Sequence, residues 1–209
     1  QGYVWLVTHA KSVLNLNIKR FILAGDSAGG SLIYAVTLMA IARKFRVPDA
    51  LMPVYPTSMQ SFEGFWPSML TSVDESILSA GFTMLAWKAY QPEPNKMGET
   101  YWEYGRHSWY ISPTLAAPDE LLRQFPPMHI VYGSMDPIKD DVLIFTDRML
   151  SLGCDVKLLE IEAMPHGFLN YKMPMSQGMK EADEAIAKTT EVLASLIKRL
   201  SQCRGFGVL

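Results

Sequence analysis

The chain of 209 residues carries a net charge of −2, with 49% hydrophobic and 19% charged residues. That length holds one domain with a substantial core and not two full ones. The charge balance gives no basic footprint for nucleic acid or for an acidic membrane surface, no apolar run approaches the roughly 18 residues of a membrane span, and the first residues lack the basic-then-apolar pattern of a signal peptide.

The chain opens inside a helical pattern, in which Trp5, Leu6, His9, Val13 and Leu16 fall near helical spacing with no start signal before them. This points to a sequence cut from a longer one. Arg20-Phe21-Ile22-Leu23-Ala24 reads as a buried parallel strand. It runs into Gly25-Asp26-Ser27-Ala28-Gly29-Gly30 and a helix over about 31–45 with Leu32, Val36, Met39 and Ala40 on one face. Leu51-Met52-Pro53-Val54-Tyr55 reads as the next strand, although Pro53 argues against a central position. Residues 58–111 hold Trp66, Trp87, Trp102 and Trp109, scattered Pro and Gly, and short helical stretches such as 77–90. They read as an insertion. The alternation then resumes with a strand at 128–132, a helix at 140–152 stopped by Gly153 and a strand at 156–161. A long amphipathic helix at 179–200 has Ala182, Ile186, Leu193, Ile197 and Leu200 turned inward. Strands alternating with helices predict an α/β fold, a mostly parallel sheet with helices on both faces.

Cys154 and Cys203 have no metal-ligand spacing and read as free thiols of a reducing compartment. The thirteen methionines read as core filler, with an acyl-chain tunnel as the alternative.

Gly25-Asp26-Ser27-Ala28-Gly29 fits G-x-S-x-G in the strand–turn–helix context that gives the motif meaning. A turn this tight crowds the serine, and glycines two before and two after it remove clashing side chains. The turn lifts the Ser27 hydroxyl above the sheet, at a helix start where backbone N–H groups favour negative charge. The Ala28 N–H is the expected oxyanion donor. The glycine-flanked serine of trypsin-like proteases is excluded by Ala28 and by chain order, since suitable partners here follow the serine. A serine hydroxyl needs a base. His166 lies in a loop just after the last strand, where open α/β sheets carry their sites. His9, His107 and His129 read as surface or core histidines. Asp136 follows the strand at 128–132 and is the expected orienting carboxylate. Asp140 is the alternative, although Asp140 and Asp141 look like helix-start residues. Asp26 reads as structural. This chemistry calls for no metal or cofactor.

Three segments in order, Gly25-Asp26-Ser27-Ala28-Gly29-Gly30, Asp136-Pro137-Ile138-Lys139-Asp140-Asp141 and His166-Gly167-Phe168, resemble the hormone-sensitive lipase family of α/β-hydrolases. Arg46-Val47-Pro48-Asp49, Tyr55-Pro56, Ser112-Pro113 with Leu115-Ala116, and Pro127-Met128-His129-Ile130-Val131 extend the resemblance over nearly the whole chain. It implies that Ser27, Asp136 and His166 are catalytic and that 58–111 belongs to a cap over an acyl pocket. It also implies that residues 1–209 are the C-terminal portion of the catalytic domain, holding about four of eight strands. The implied activity is hydrolysis of acyl esters such as acylglycerols or cholesteryl esters, in the cytoplasm and at lipid droplets. The implied partners are that substrate and the N-terminal segment of a parent chain; a homodimer stays open. The family's His-Gly-Gly-Gly loop has no counterpart here, so the chain alone is expected to be a weak or inactive enzyme. An inactive fragment and a non-catalytic ligand-binding member of the fold are the alternatives.

Overall fold

The computed structural model describes residues 1–61, 66–73, 77–91, 101–171 and 180–202. Helix α1 (Gly2–Leu14) precedes β1 (Ile22–Asp26), α2 (Ala28–Ala42) and β2 (Ala50–Val54). Five short helices follow: α3 (Pro67–Leu70), α4 (Ala80–Tyr90), α5 (Tyr101–His107), α6 (Pro113–Ala116) and α7 (Asp119–Leu122). Then come β3 (Met128–Gly133), α8 (Lys139–Ser151), β4 (Val156–Ile161) and α9 (Lys180–Gln202). The strands form one parallel sheet in the order β1-β2-β3-β4. Parallel neighbours need crossover connections, and the helices between consecutive strands supply them.

Strand alternation sorts the side chains onto two cores. Leu51, Met128, Ile130 and Tyr132 pack with Ile33, Tyr34 and Leu38 of α2 and with Val142, Phe145 and Met149 of α8. Ala50, Met52, Val54 and Val131 point the other way, onto Ala185, Val192 and Leu196 of α9. Both faces are therefore covered, as a parallel sheet requires.

Pro53 sits in an interior strand, against the expectation. The backbone geometry explains why the sheet tolerates it. The Leu51 and Tyr55 N–H groups both bond towards β3, to Pro127 O at 3.0 Å and Val131 O at 2.6 Å. The nitrogen of Pro53 falls between them on the same side, so one rung of the β2–β3 ladder is missing while the rungs on either side hold.

Two helix faces differ from the sequence reading. In α2, Leu32 is 50% exposed, and Ile33, Tyr34, Leu38 and Ile41 face the core. In α9 the buried stripe is Ala182, Ala185, Thr189, Val192 and Leu196, with Ile197 51% exposed. Of α1 only Ala10 is buried; Trp5, Leu6, Val13 and Leu16 are exposed. That helix is anchored instead through Tyr3, edge-on to Phe21 at 5.4 Å and donating its hydroxyl to Arg46 O. Cys154 is a free, half-buried thiol whose pKa burial raises; Cys203 lies outside the described residues, as does Met179. Among the described residues no helix is long and apolar enough to cross a membrane.

Candidate active site

The turn from β1 to α2 holds Ser27 at φ 50°, ψ −120°. A non-glycine residue there costs roughly 1–3 kcal/mol and persists only where its surroundings impose it. Here the Ser27 N–H donates to Val54 O at 2.9 Å. Glycines take up the crowding, though not quite the pair expected. A Cβ on Gly25 would lie 2.4 Å from Gly29 O, and one on Gly30 would lie 2.7 Å from the Pro56 Cβ. A Cβ on Gly29 would meet nothing nearer than 3.9 Å, so the expected clearance role passes from Gly29 to Gly30. Ala28 opens α2, and its N–H belongs to the helix end that attracts negative charge.

The structure brings the three predicted side chains together. Ser27 Oγ lies 2.8 Å from His166 Nε2, and His166 Nδ1 lies 2.9 Å from Asp136 Oδ2. Asp136 is 1% exposed and His166 6%. The second oxygen of Asp136 accepts the Ile138 N–H at 2.9 Å, which fixes the carboxylate in the β3–α8 loop. His166 follows β4. Its loop is pressed against the end of β3, where the Met135 N–H donates to Met164 O and a Cβ on Gly133 would lie 2.0 Å from that oxygen. The sequence reading missed Gly133; its signal was a glycine at the very end of a strand.

The remaining candidates lie elsewhere. His9 stacks on Trp5, His107 is exposed at the end of α5, and His129 is in β3, where burial lowers its pKa. Asp140 accepts the Ser68 N–H at the start of α3, and the Nδ1 partner of His166 is Asp136. Asp141 is fully buried. Its carboxylate accepts the Thr57 hydroxyl, the Ser58 N–H and hydroxyl, and the Met59 N–H. Burial nevertheless pushes it up to about 6.

Ser27 and His166 open onto a cavity of about 330 Å³ whose walls include Leu32, Leu78, Phe82, Trp87, Tyr110 and Ile138. Helix α4, capped by the Ser79 hydroxyl on the Phe82 N–H, supplies one wall. It is seated through Trp87 and Ala80 on Ile138 and Met69. Ile138 is two residues from Asp136, so one loop supports both the acid and the pocket wall.

Residues 1–170 match the family described as alpha/beta hydrolase fold. An esterase of Gibberella moniliformis is 27% identical over 164 residues, which cover 78% of this chain and 48% of that protein. Human hormone-sensitive lipase is 27% identical over 187 residues, covering 87% of this chain and 17% of the lipase. The chain thus spans about half or less of these relatives. Among solved structures, carboxyl esterase 2 of Tuber melanosporum superposes with a TM-score of 0.77 at 24% identity, over 94% of this chain and 60% of that one. With the parallel sheet, the strained serine turn and a family match over most of its length, the chain belongs to the α/β hydrolase family.

Proposed function

We propose that the chain carries the catalytic machinery of a serine carboxylic-ester hydrolase. The carrying observation is the hydrogen-bonded line from Ser27 through His166 to buried Asp136, opening on an apolar cavity. In this reading Ser27 Oγ attacks the ester carbonyl carbon while its proton passes to His166 Nε2. The Ala28 N–H stabilises the oxyanion. Collapse of the tetrahedral intermediate breaks the ester C–O bond, and the leaving alcohol takes the proton from Nε2. Water then attacks the acyl-enzyme and gives a proton to Nε2. The second collapse releases the acid and returns that proton to Ser27 Oγ. Asp136 holds the imidazole in the tautomer with Nδ1 protonated and stabilises the imidazolium.

The apolar walls favour esters with a hydrocarbon acyl group. The likeness to an esterase and to a hormone-sensitive lipase supports acyl esters, acylglycerols and cholesteryl esters among them, with 58–111 serving as the cap. The test is hydrolysis of p-nitrophenyl butyrate and palmitate by the chain and by its Ser27→Ala variant. The expected outcome is weak turnover by the parent, since the Ala28 N–H is the one oxyanion donor named in this chain, and background hydrolysis by the variant, both folded. Equal rates would place the chemistry elsewhere. No turnover by the folded parent would reject the reading for this chain.

A further inference from the structure

Tyr55, outside the Ser27–His166–Asp136 line, lies directly against it. It is fully buried, at φ 36°, between the end of β2 and Pro56. A residue before proline favours extended backbone, and a bulky residue at positive φ is an outlier that its surroundings must impose. The imposing bonds are visible: its N–H donates to Val131 O at 2.6 Å, and Pro56 abuts Gly30 of α2. The strained backbone delivers the ring onto His166, with centroids 4.8 Å apart, while Phe168 meets the same ring edge-on at 5.0 Å. The phenol donates a long hydrogen bond, 3.4 Å, to Asp26, the residue before Ser27. One side chain therefore touches the nucleophile turn, the imidazole and the segment just after it.

We propose that Tyr55 is a positioning residue for His166, its ring setting the plane of the imidazole and its hydroxyl fixing that ring to the nucleophile turn. The inference rests on the hydrolase reading above. Hydrogen bonds at Nδ1 and Nε2 orient the imidazole only while both partners are present. Once Ser27 is acylated it has no proton to donate, and the imidazole is then held by Asp136 and by packing. At that stage the Tyr55 ring, together with the Asp136 bond, keeps Nε2 aimed at the entering water.

The test compares Tyr55→Leu, Tyr55→Phe and the parent chain by two readouts. The first is kcat and KM on p-nitrophenyl butyrate. Tyr55→Leu is expected to lower kcat by ~10-fold or more with KM within ~2-fold, and Tyr55→Phe to lose a few-fold, because misplacement of a reacting group acts on the chemical step. The second needs no turnover: the downfield proton resonance of the His166 Nδ1–H, assigned by its loss in His166→Gln and followed in a Ser27→Ala background, which removes the Nε2 partner as acylation does. It should stay sharp in Tyr55→Phe and broaden or vanish in Tyr55→Leu. A sharp, unshifted resonance in a folded Tyr55→Leu variant would overturn the role of the ring. Parental kcat in Tyr55→Phe would overturn the role of the hydroxyl, and that variant keeps the core volume should Tyr55→Leu not fold. A parent chain without turnover would reject the hydrolase reading, and the resonance would still decide whether Tyr55 holds the imidazole.

Discussion

Asp136, in the β3–α8 loop, and Asp140, in the first turn of α8, are four residues apart and have different work. Asp136 is buried with one oxygen on His166 and the other on the Ile138 N–H. Asp140 holds the first turn of α3 through the Ser68 N–H. An asparagine at 136 can present its NH₂ to the imidazole and force the wrong tautomer, a change that costs about 10⁴ in kcat where a histidine base depends on such a carboxylate. An asparagine at 140 still offers an oxygen to Ser68. Asp136→Asn should therefore lower kcat by about four orders of magnitude, and Asp140→Asn by only a few-fold, on the same ester. The reverse ranking would transfer the orienting role to Asp140. Ser27, Asp136 and His166 were legible in the sequence because each follows a recognisable strand in a fixed chain order. Tyr55 and Gly133 were not. What marks them is contact with a loop far away in sequence, on Tyr55 the ring of His166 and on Gly133 the carbonyl of Met164, and local sequence does not record such contacts.

At the scale of elements, strands were read more closely than helix faces. All four strands fall within two residues of their expected bounds, because apolar runs flanked by turn residues are local signals. Of the expected inward face of α2, Ala40 is buried while Leu32 is exposed and Ile33, Tyr34, Leu38 and Ile41 meet the core; the helix is apolar almost all round, so its periodicity has little contrast. In α9 the buried stripe includes Ala185 and Thr189, small or polar residues that a hydrophobic count passes over. Nor did the sequence reveal how the segment before β3 is fastened. The Arg148 guanidinium, projecting from α8, donates to Pro113 O, Thr114 O and Ala117 O at 3.1, 2.7 and 2.7 Å, and to the Asp119 carboxylate at 2.6 Å. Pro113 O also accepts the Ala117 N–H, whereas Thr114 O and Ala117 O are carbonyls that the short helix leaves open and the guanidinium satisfies. Hydrogen bonds to a charged group contribute roughly 1.5–3 kcal/mol where the partners are otherwise unmet. Arg148→Met should then lower Tm by about 5–10 °C for a chain of this size. Arg148→Lys should recover only part of that, since an ammonium cannot span four acceptors with the planar fork of arginine. An unchanged Tm in Arg148→Met would show that solvent replaces these bonds at no cost.

The whole molecule joins a parallel sheet, legible from strand–helix alternation, to an insertion whose packing was not legible, since tryptophans and prolines announce irregular structure without saying where it rests. Asp141 is a main fastening between the two. From the first turn of α8 it accepts hydrogen bonds from Thr57, Ser58 and Met59, the segment that leads from β2 into 58–111. Its carboxyl is pushed up to about 6 by burial, against the opposing pull of these donors, from an ordinary value of 3.8. The sign follows from proton binding. Between about pH 4 and 6 the folded chain holds a proton on Asp141 that the unfolded chain has released. Stability from this group is thus full below pH 4, falls as pH rises through the window and is lost above 6. With one proton involved, the slope cannot exceed about 1.4 kcal/mol per pH unit. Other carboxylates titrate in the same range, so the measurement is a difference: urea unfolding of the parent and of Asp141→Asn at pH 4, 5, 6 and 7. Asp141→Asn should be less stable at pH 4, because its NH₂ group cannot accept the Ser58 hydroxyl. The gap should narrow, or change sign, towards pH 7 as the parent pays the cost of a buried anion. A gap that stays constant, or widens with pH, would mean that the carboxylate is held ionised by its four donors throughout, and that the insertion is anchored by a buried charge.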